Sequence, residues 1–317
     1  MERGHKMKYA IGVDIGGTTV KIGIFEENSK LLDKWEIPTV TANGGKQIVP
    51  DVAKSVLAKL AEMGIEKSDV IGLGVGAPGA VDENGYMGGG AVNLGWEPFN
   101  LKEAFEAELQ GIKVKGANDA NAAAFGEMWQ GGGRGYSDVV AVTLGTGVGG
   151  GIIVNGKLLA GATGAGGEIG HIHLEDDEPD TCGCGGHGCL EQYASATGIV
   201  RLAKRRLAQD DAPSVLRDSE ISAKTVFDAV KAGDKVAIEI AEKFGYYLGK
   251  GLAAVANVVN PQIFVIGGGV SKAGEVLIPY IEPSFQKYAF PPCRGAKFAL
   301  AQLGNDAGIV GAAGMVL

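Results

Sequence analysis

The sequence predicts an α/β protein made of two copies of one unit, facing each other across a cleft. Three observations lead there. An apolar strand, a Gly/Thr-rich turn and a second apolar strand occur at residues 11–25 and again at 141–156. Each copy opens a run in which strand-length and helix-length apolar patterns alternate. The chain has 317 residues, enough for about two domains.

In the first unit, residues 8–14, 20–26 and 31–37 read as a three-stranded meander. The Gly16-Gly17 turn and a polar stretch at 27–30 separate the strands. Residues 46–63 have helical periodicity, and 70–75 form an apolar strand ending at Gly76-Ala77-Pro78-Gly79. A helix over 101–109, a strand over 112–116 and an alanine-rich helix opened by Asn118-Asp119 and running to about residue 130 complete the unit.

The second unit starts with strands at 139–144, 149–154 and 157–160. A polar, Cys/His-rich insertion at 168–189 follows, then helices over 197–208, 223–231 and 234–259. A strand at 263–266 ends in Gly267-Gly268-Gly269. The last helix, 306–315, is expected to pack back on the first unit. The expected division is a small domain of 1–120 plus 303–317, and a large domain of 121–302 that carries the insertion.

Composition narrows the function. Hydrophobic residues make up 45% of the chain and charged residues 21%, so real cores are expected and extensive disorder is not. The net charge of −8 opposes a broad nucleic-acid surface, and no nucleic-acid partner is expected. A single nucleotide can still be held by backbone N–H groups. No secretory signal or membrane-length apolar run is visible, so a cytoplasmic protein without a membrane partner is expected. Residues 1–6 read as an extension without structure.

The two turns are the first candidates for chemistry. Asp14, Gly16, Gly17, Thr18 and Thr19 follow the first strand. Glycines let N–H groups face phosphate oxygens, hydroxyls add donors, and an acidic neighbour can hold Mg²⁺. Gly145, Thr146 and Gly147 open the matching turn. Neither is a Walker A loop, because no Gly-Lys-Ser/Thr follows. The first is not a dinucleotide fingerprint, because a strand follows the turn where that motif needs a helix. A plain Asx/Gly turn is the competing reading of either one alone.

Asp119 could accept the proton of an attacking hydroxyl, but Asn and Asp are also preferred helix caps. Cys182, Cys184 and Cys189 lie within eight residues, which in a chain without an export signal reads as metal binding before disulfides. A histidine completes a closed Cys3His set of the structural zinc type. His171 is the first candidate, with His173 and His187 as alternatives. Gly183, Gly185 and Gly186 are expected to permit a tight knuckle. Such a site would draw Glu168 and Glu191 into one polar pocket of the kind that binds sugar hydroxyls. Cys293 has no assignable role.

Taken in order, Asp14-x-Gly-Gly-Thr18, Asn118-Asp119-x-Asn121-x-Ala123, Leu144-Gly-Thr-Gly147-x-Gly-Gly-Gly151, Gly167-Glu-x-Gly-His171 and Cys182-x-Cys184-Gly-x-x-Gly-Cys189-x-Glu191 resemble the ROK family (repressors, open reading frames, kinases). Within it the chain is most similar to the bacterial ATP-dependent glucokinases. The resemblance spans nearly the whole chain, and the cysteine knuckle followed by Glu191 is its most specific part. It implies an actin-like (ribonuclease H-like) two-domain ATPase fold with the active site between the domains. It implies ATP and Mg²⁺ at Asp14–Thr19 and Gly145–Gly151, with Gly267, Gly268 and Gly269 near the adenosine. Asp119 would be the catalytic base. Asn118, Asp119, Glu168, His171 and Glu191 would contact the sugar, with Pro78 and Gly79 closing over it. His171 would also join Cys182, Cys184 and Cys189 on a structural Zn²⁺. A homodimer or homotetramer is implied.

Several functions remain open at this point. Glucose is the first expectation for the sugar, and N-acetylmannosamine, N-acetylglucosamine, fructose and allose are alternatives. Polyphosphate could replace ATP as donor. A sugar-sensing regulator without turnover is the rival from another class. Family repressors carry a DNA-binding segment before the first strand, and residues 1–7 leave no room for one. A chaperone or filament protein of the same fold would not need the sugar-pocket carboxylates.

Overall fold

A computed structural model describes residues 7–317, so the expectation for residues 1–6 lies outside the described residues. The first meander forms as the alternation requires. β1 (Tyr9–Ile15), β2 (Thr19–Glu26) and β3 (Leu31–Pro38) pair antiparallel in sequence order. α1 (Ile48–Met63) stops at Gly64, which takes the left-handed conformation (φ 68°) that favours glycine. β4 (Val70–Ala77) then pairs parallel with β1. A small hairpin of β5 (Tyr86–Met87) and β6 (Phe99–Asn100), α2 (Leu101–Leu109) and β7 (Val114–Asn118) lead into α3 (Asp119–Gln130). The sheet runs β3-β2-β1-β4-β7.

The second unit repeats this plan. β8 (Val139–Leu144), β9 (Val148–Val154) and β10 (Lys157–Leu158) form an antiparallel meander. After the insertion come α4 (Glu191–Ala194), α5 (Ala196–Leu207), α6 (Ala223–Lys231) and α7 (Lys235–Val259). β11 (Ile263–Gly267), α8 (Ile278–Tyr288), β12 (Lys297–Leu300) and α9 (Ala307–Gly314) finish the chain. This sheet runs β10-β9-β8-β11-β12, the same order and the same strand senses as the first. The duplication suspected from two hairpins therefore extends to all five strands.

α3 and α9 form the seam between the sheets. α9 packs on β1, β4 and α3, while α3 also reaches β8 and β9. All eight residues of α9 are buried. The approach is backbone to backbone. A Cβ at Gly12 would overlap the carbonyl of Ile309, one at Gly74 that of Ala312, and one at Gly311 that of Ala122. Separate apolar cores fill the outer faces, around α1 and α2 on one side and α5 to α8 on the other.

The structure differs from the sequence reading at several places. The strand expected at 112–116 lies at Val114–Asn118, which puts Asn118 at its end. α8 and β12 were not anticipated. In α8, Pro279 stands in the first turn, where no N–H is needed, and Pro283 is accommodated inside the helix. Gly183 keeps an ordinary φ and Gly186 is not in the left-handed region. The knuckle's left-handed positions are Gly185 (φ 87°) and Gly188 (φ 69°).

Candidate active site

Parallel strands carry their ligands at their carboxyl ends. β1, β4 and β7 end at Asp14, Pro78-Gly79 and Asn118-Asp119. β8 and β11 end at Gly145 and Gly267. Topology alone thus brings both Gly/Thr turns, the Asn-Asp pair and the triple glycine to matching ends of the two sheets.

Asn118 is the cap of α3: its Oδ1 accepts from the N–H groups of Ala120 (2.9 Å) and Asn121 (3.2 Å). Its Nδ2 donates to the Gly79 carbonyl (3.0 Å), which ties the Pro78-Gly79 turn to the helix start. Asp119 is the first helical residue and accepts from the Ala120 N–H (2.8 Å).

Burial pushes the Asp119 carboxyl above its ordinary value. The Ala120 N–H and Asn118 pull it back, and the Glu168 charge adds to the rise. Asp14 is pushed up to about 6 by burial and by Asp119, with Lys21 opposing. Asp14, Asp119 and Glu168 therefore form one electrostatic group.

The first turn is braced by the Gly16 N–H donating to the Thr19 carbonyl (3.0 Å) and by Thr39, whose hydroxyl donates to the Gly16 carbonyl (2.7 Å). Gly17 and Thr18 stay exposed. The second turn is held from α5: the Ala196 N–H donates to the Gly145 carbonyl (2.8 Å) and the Thr197 hydroxyl to the Thr146 carbonyl (2.7 Å). A Cβ at Gly147 would meet Glu191 Oε2, so this turn adjoins the proposed sugar pocket. Gly150 and Gly151 do other work. They admit Ile169 with the Gly167 carbonyl, and Ala124, respectively. Gly267, Gly268 and Gly269 line a cavity of about 530 Å³ that runs between the two units.

The cysteine cluster assembles. Ligand atoms of His171, Cys182, Cys184 and Cys189 all lie within 4.8 Å of one another. Cys184 and Cys189 sulfurs stand 3.7 Å apart, and His171 Nδ1 is 3.7 Å from the Cys182 sulfur. Donors about 2.3 Å (sulfur) and about 2.0 Å (nitrogen) from a tetrahedral ion stand roughly 3.5–3.8 Å apart, so the set fits. The other histidines are turned away. His173 uses both ring nitrogens, on the His187 carbonyl (2.7 Å) and Asp176 (2.8 Å), and His187 Nδ1 meets the Glu178 carbonyl (3.1 Å).

Burial pushes the Cys182 thiol up to about 12, and it donates to Glu191 Oε1 (2.9 Å). A bound dication reverses that preference, because its ligands are thiolates. Glu191 Oε1 also lies 3.8 Å from His171 Nδ1, so the knuckle and the pocket carboxylate are in contact. Outside the ligand set, Glu178 is buried and held by the Tyr193 hydroxyl (2.6 Å) and the Arg205 guanidinium, which keep its carboxyl down at about 2.

The cavity also names residues the sequence did not offer: Thr143, Lys272, Gln302 and Asn305 on its wall, with buried Glu127 behind them. Asn305-Asp306 ahead of a helix is the one local signal that pointed there. The others are legible only after β12 and the return of the chain are known.

Two copies of one five-stranded unit, with carboxylates and glycine turns at facing strand ends, define an actin-like ATPase fold. The family model ROK matches residues 10–317, and the chain belongs to the ROK family. A glucokinase from Halalkalibacterium halodurans is 43% identical over 314 residues, covering 98% of this chain and 95% of the relative. The crystal structure of a ROK family glucokinase from Streptomyces griseus in complex with glucose and AMPPNP is 36% identical, with a TM-score of 0.69 and 98% and 99% of the two chains covered. A ROK hexokinase from Thermus thermophilus is 30% identical, with a TM-score of 0.78 and 96% of each chain covered.

Proposed function

We propose that this chain is an ATP-dependent hexose kinase that converts glucose to glucose 6-phosphate. The observation that carries the reading is Asp119. Its carboxylate stands at the facing strand ends, freed from capping by Asn118 and raised by burial toward the range a general base uses. The glucose-bound relative and the glucokinase relative supply the sugar.

In this reading Asn118, Asp119, Glu168, His171 and Glu191 bind sugar hydroxyls, and the Pro78-Gly79 turn covers them. Asp119 takes the proton of the 6-hydroxyl as that hydroxyl's oxygen attacks the γ-phosphorus in line, the bond to the β,γ-bridging oxygen breaks and ADP leaves. A phosphoryl transfer with a loose transition state needs little more than positioning and charge neutralisation. The turns at Asp14–Thr19 and Gly145–Gly147 offer N–H and hydroxyl donors to the phosphates, and Asp14 would hold Mg²⁺, which would supply neutralisation of phosphate charge.

Zinc on His171, Cys182, Cys184 and Cys189 would be structural, with no open position for substrate. It would hold His171 so that its second ring nitrogen reaches a sugar hydroxyl. The domain division proposed here is 1–120 with 303–317 against 121–302; the packing of α9 on β1 and β4 supports it. Among the described residues no helix is long and apolar enough to cross a membrane. The unpaired cysteines support a reducing, cytoplasmic setting, and a homodimer or homotetramer belongs to the same proposal.

The test is a coupled ADP-release assay with Mg²⁺-ATP and a panel of hexoses and N-acetylhexosamines. Turnover with glucose, and product oxidised by a glucose-6-phosphate dehydrogenase, is the expected result. Turnover confined to another sugar would replace glucose. Sugar binding without turnover would move the chain to the regulators.

A further inference from the structure

Glu127 is a buried carboxylate that phosphoryl transfer does not use. It sits in the last turn of α3, 5% exposed. Its partners are backbone N–H groups: Gly132 to Oε2 (2.9 Å), Gln302 to both oxygens (3.1 and 3.0 Å) and Leu303 to Oε1 (2.9 Å). Among the described residues no lysine, arginine or histidine forms an ion pair with it. A buried carboxylate that relies on main-chain donors is tolerated only where those donors are held in place.

The donors come from two distant stretches of chain, and both are crossings. The chain leaves the first sheet's unit through α3 and residues 131–138, and returns from β12 to α9 through 301–306. One carboxylate therefore joins the outgoing and the returning connection. The surroundings lock the junction sterically, since a Cβ at Gly131 would overlap the Glu127 carboxylate and one at Gly132 the Leu300 carbonyl. The returning connection also forms one wall of the cavity bounded opposite by Gly267, Gly268 and Gly269.

From this geometry we infer that Glu127 is a positioning residue for the nucleotide. It pins both crossings at one point, so the two units close by turning about it. It also holds Gln302 to Asn305 as a fixed wall against the nucleoside. The inference rests on the kinase reading above and adds to it how the nucleotide half of the cleft is built. The sugar contacts proposed above lie at the start of α3, on α4 and in the insertion, whereas Glu127 sits in the last turn of α3, so sugar and nucleotide should respond differently when the clasp is loosened.

Glu127→Gln keeps the shape but turns one acceptor into a donor facing donors. KM for ATP should rise about tenfold and kcat fall about tenfold, while Kd for glucose without nucleotide, read by tryptophan fluorescence, stays within about twofold. Glu127→Asp, which keeps the charge, should recover part of both losses. Parallel losses in glucose and ATP affinity, or no loss in either, would overturn the inference.

Should the Gln variant fail to fold, hydrogen exchange on the wild-type protein decides. Amides of Gly132, Gln302 and Leu303 should be slow, and equally slow with and without AMPPNP; fast exchange there would overturn the clasp. If the wild-type protein leaves glucose untouched, the kinase reading fails by itself, and the exchange experiment still judges Glu127 because it needs the nucleotide analogue alone.

Discussion

Asp14 shows at the residue scale how a buried carboxyl beside another opposes folding at neutral pH. Its carboxyl is pushed from 3.8 up to about 6, by burial first and the Asp119 charge second. A carboxyl raised in the folded state favours folding while it is protonated. That contribution is lost as pH rises from near 3.8 through about 6. Asp14→Asn removes the penalty, so at neutral pH the ligand-free variant should melt roughly 2–4 °C higher than wild type. The gain should vanish near pH 4, and nucleotide binding should weaken. Scanning fluorimetry across pH checks this, and a lower midpoint at neutral pH would contradict it. Asp119 is raised for related reasons, burial first, and a base must be ionised. Turnover should therefore fall on acidification at a pH above the usual carboxylate range.

Two elements carry tests of their own. The knuckle lies against Glu191, a proposed sugar contact: His171 Nδ1 and Glu191 Oε1 are 3.8 Å apart. Cys184→Ser should cost more zinc affinity than the roughly 10–100-fold lost with an outer-shell partner, and should raise KM for glucose. Chelator competition reads the metal, and a metal-free protein with normal glucose KM would break the coupling. α9 lies backbone to backbone on β4, so Gly74→Ala forces a methyl into the Ala312 carbonyl. A loss of about 3 kcal/mol in denaturant unfolding is expected; a neutral change would show that α9 can lift away.

These elements also show what local sequence conveys. Both meanders were legible because glycine turns between apolar strands have short-range signatures, and the three thiols because their spacing is local. β12 was not, since a four-residue strand has too little pattern to stand out. α8 was hidden by two prolines. Glu127 was invisible because two of its three donors, Gln302 and Leu303, lie 175 and 176 residues away. His171 was separable from His173 and His187 only once the hydrogen bonds of the other two were seen.

At the scale of the whole molecule, two sheets of one plan each bring a Gly/Thr turn to their strand ends, and α3, which starts at Asp119, lies at the seam between them. Function then requires closure, which excludes water from the γ-phosphate. ATP hydrolysis without sugar should accordingly be far slower than transfer to glucose, a ratio one ADP-release assay measures. The most direct test of the account compares wild type and Asp119→Asn in that assay with saturating Mg²⁺-ATP and a glucose titration. The account predicts glucose-dependent turnover in the wild type, and in the variant a loss of about 10²–10⁴-fold in kcat with glucose binding retained. Turnover in Asp119→Asn close to wild type would remove Asp119 as the base and contradict the account.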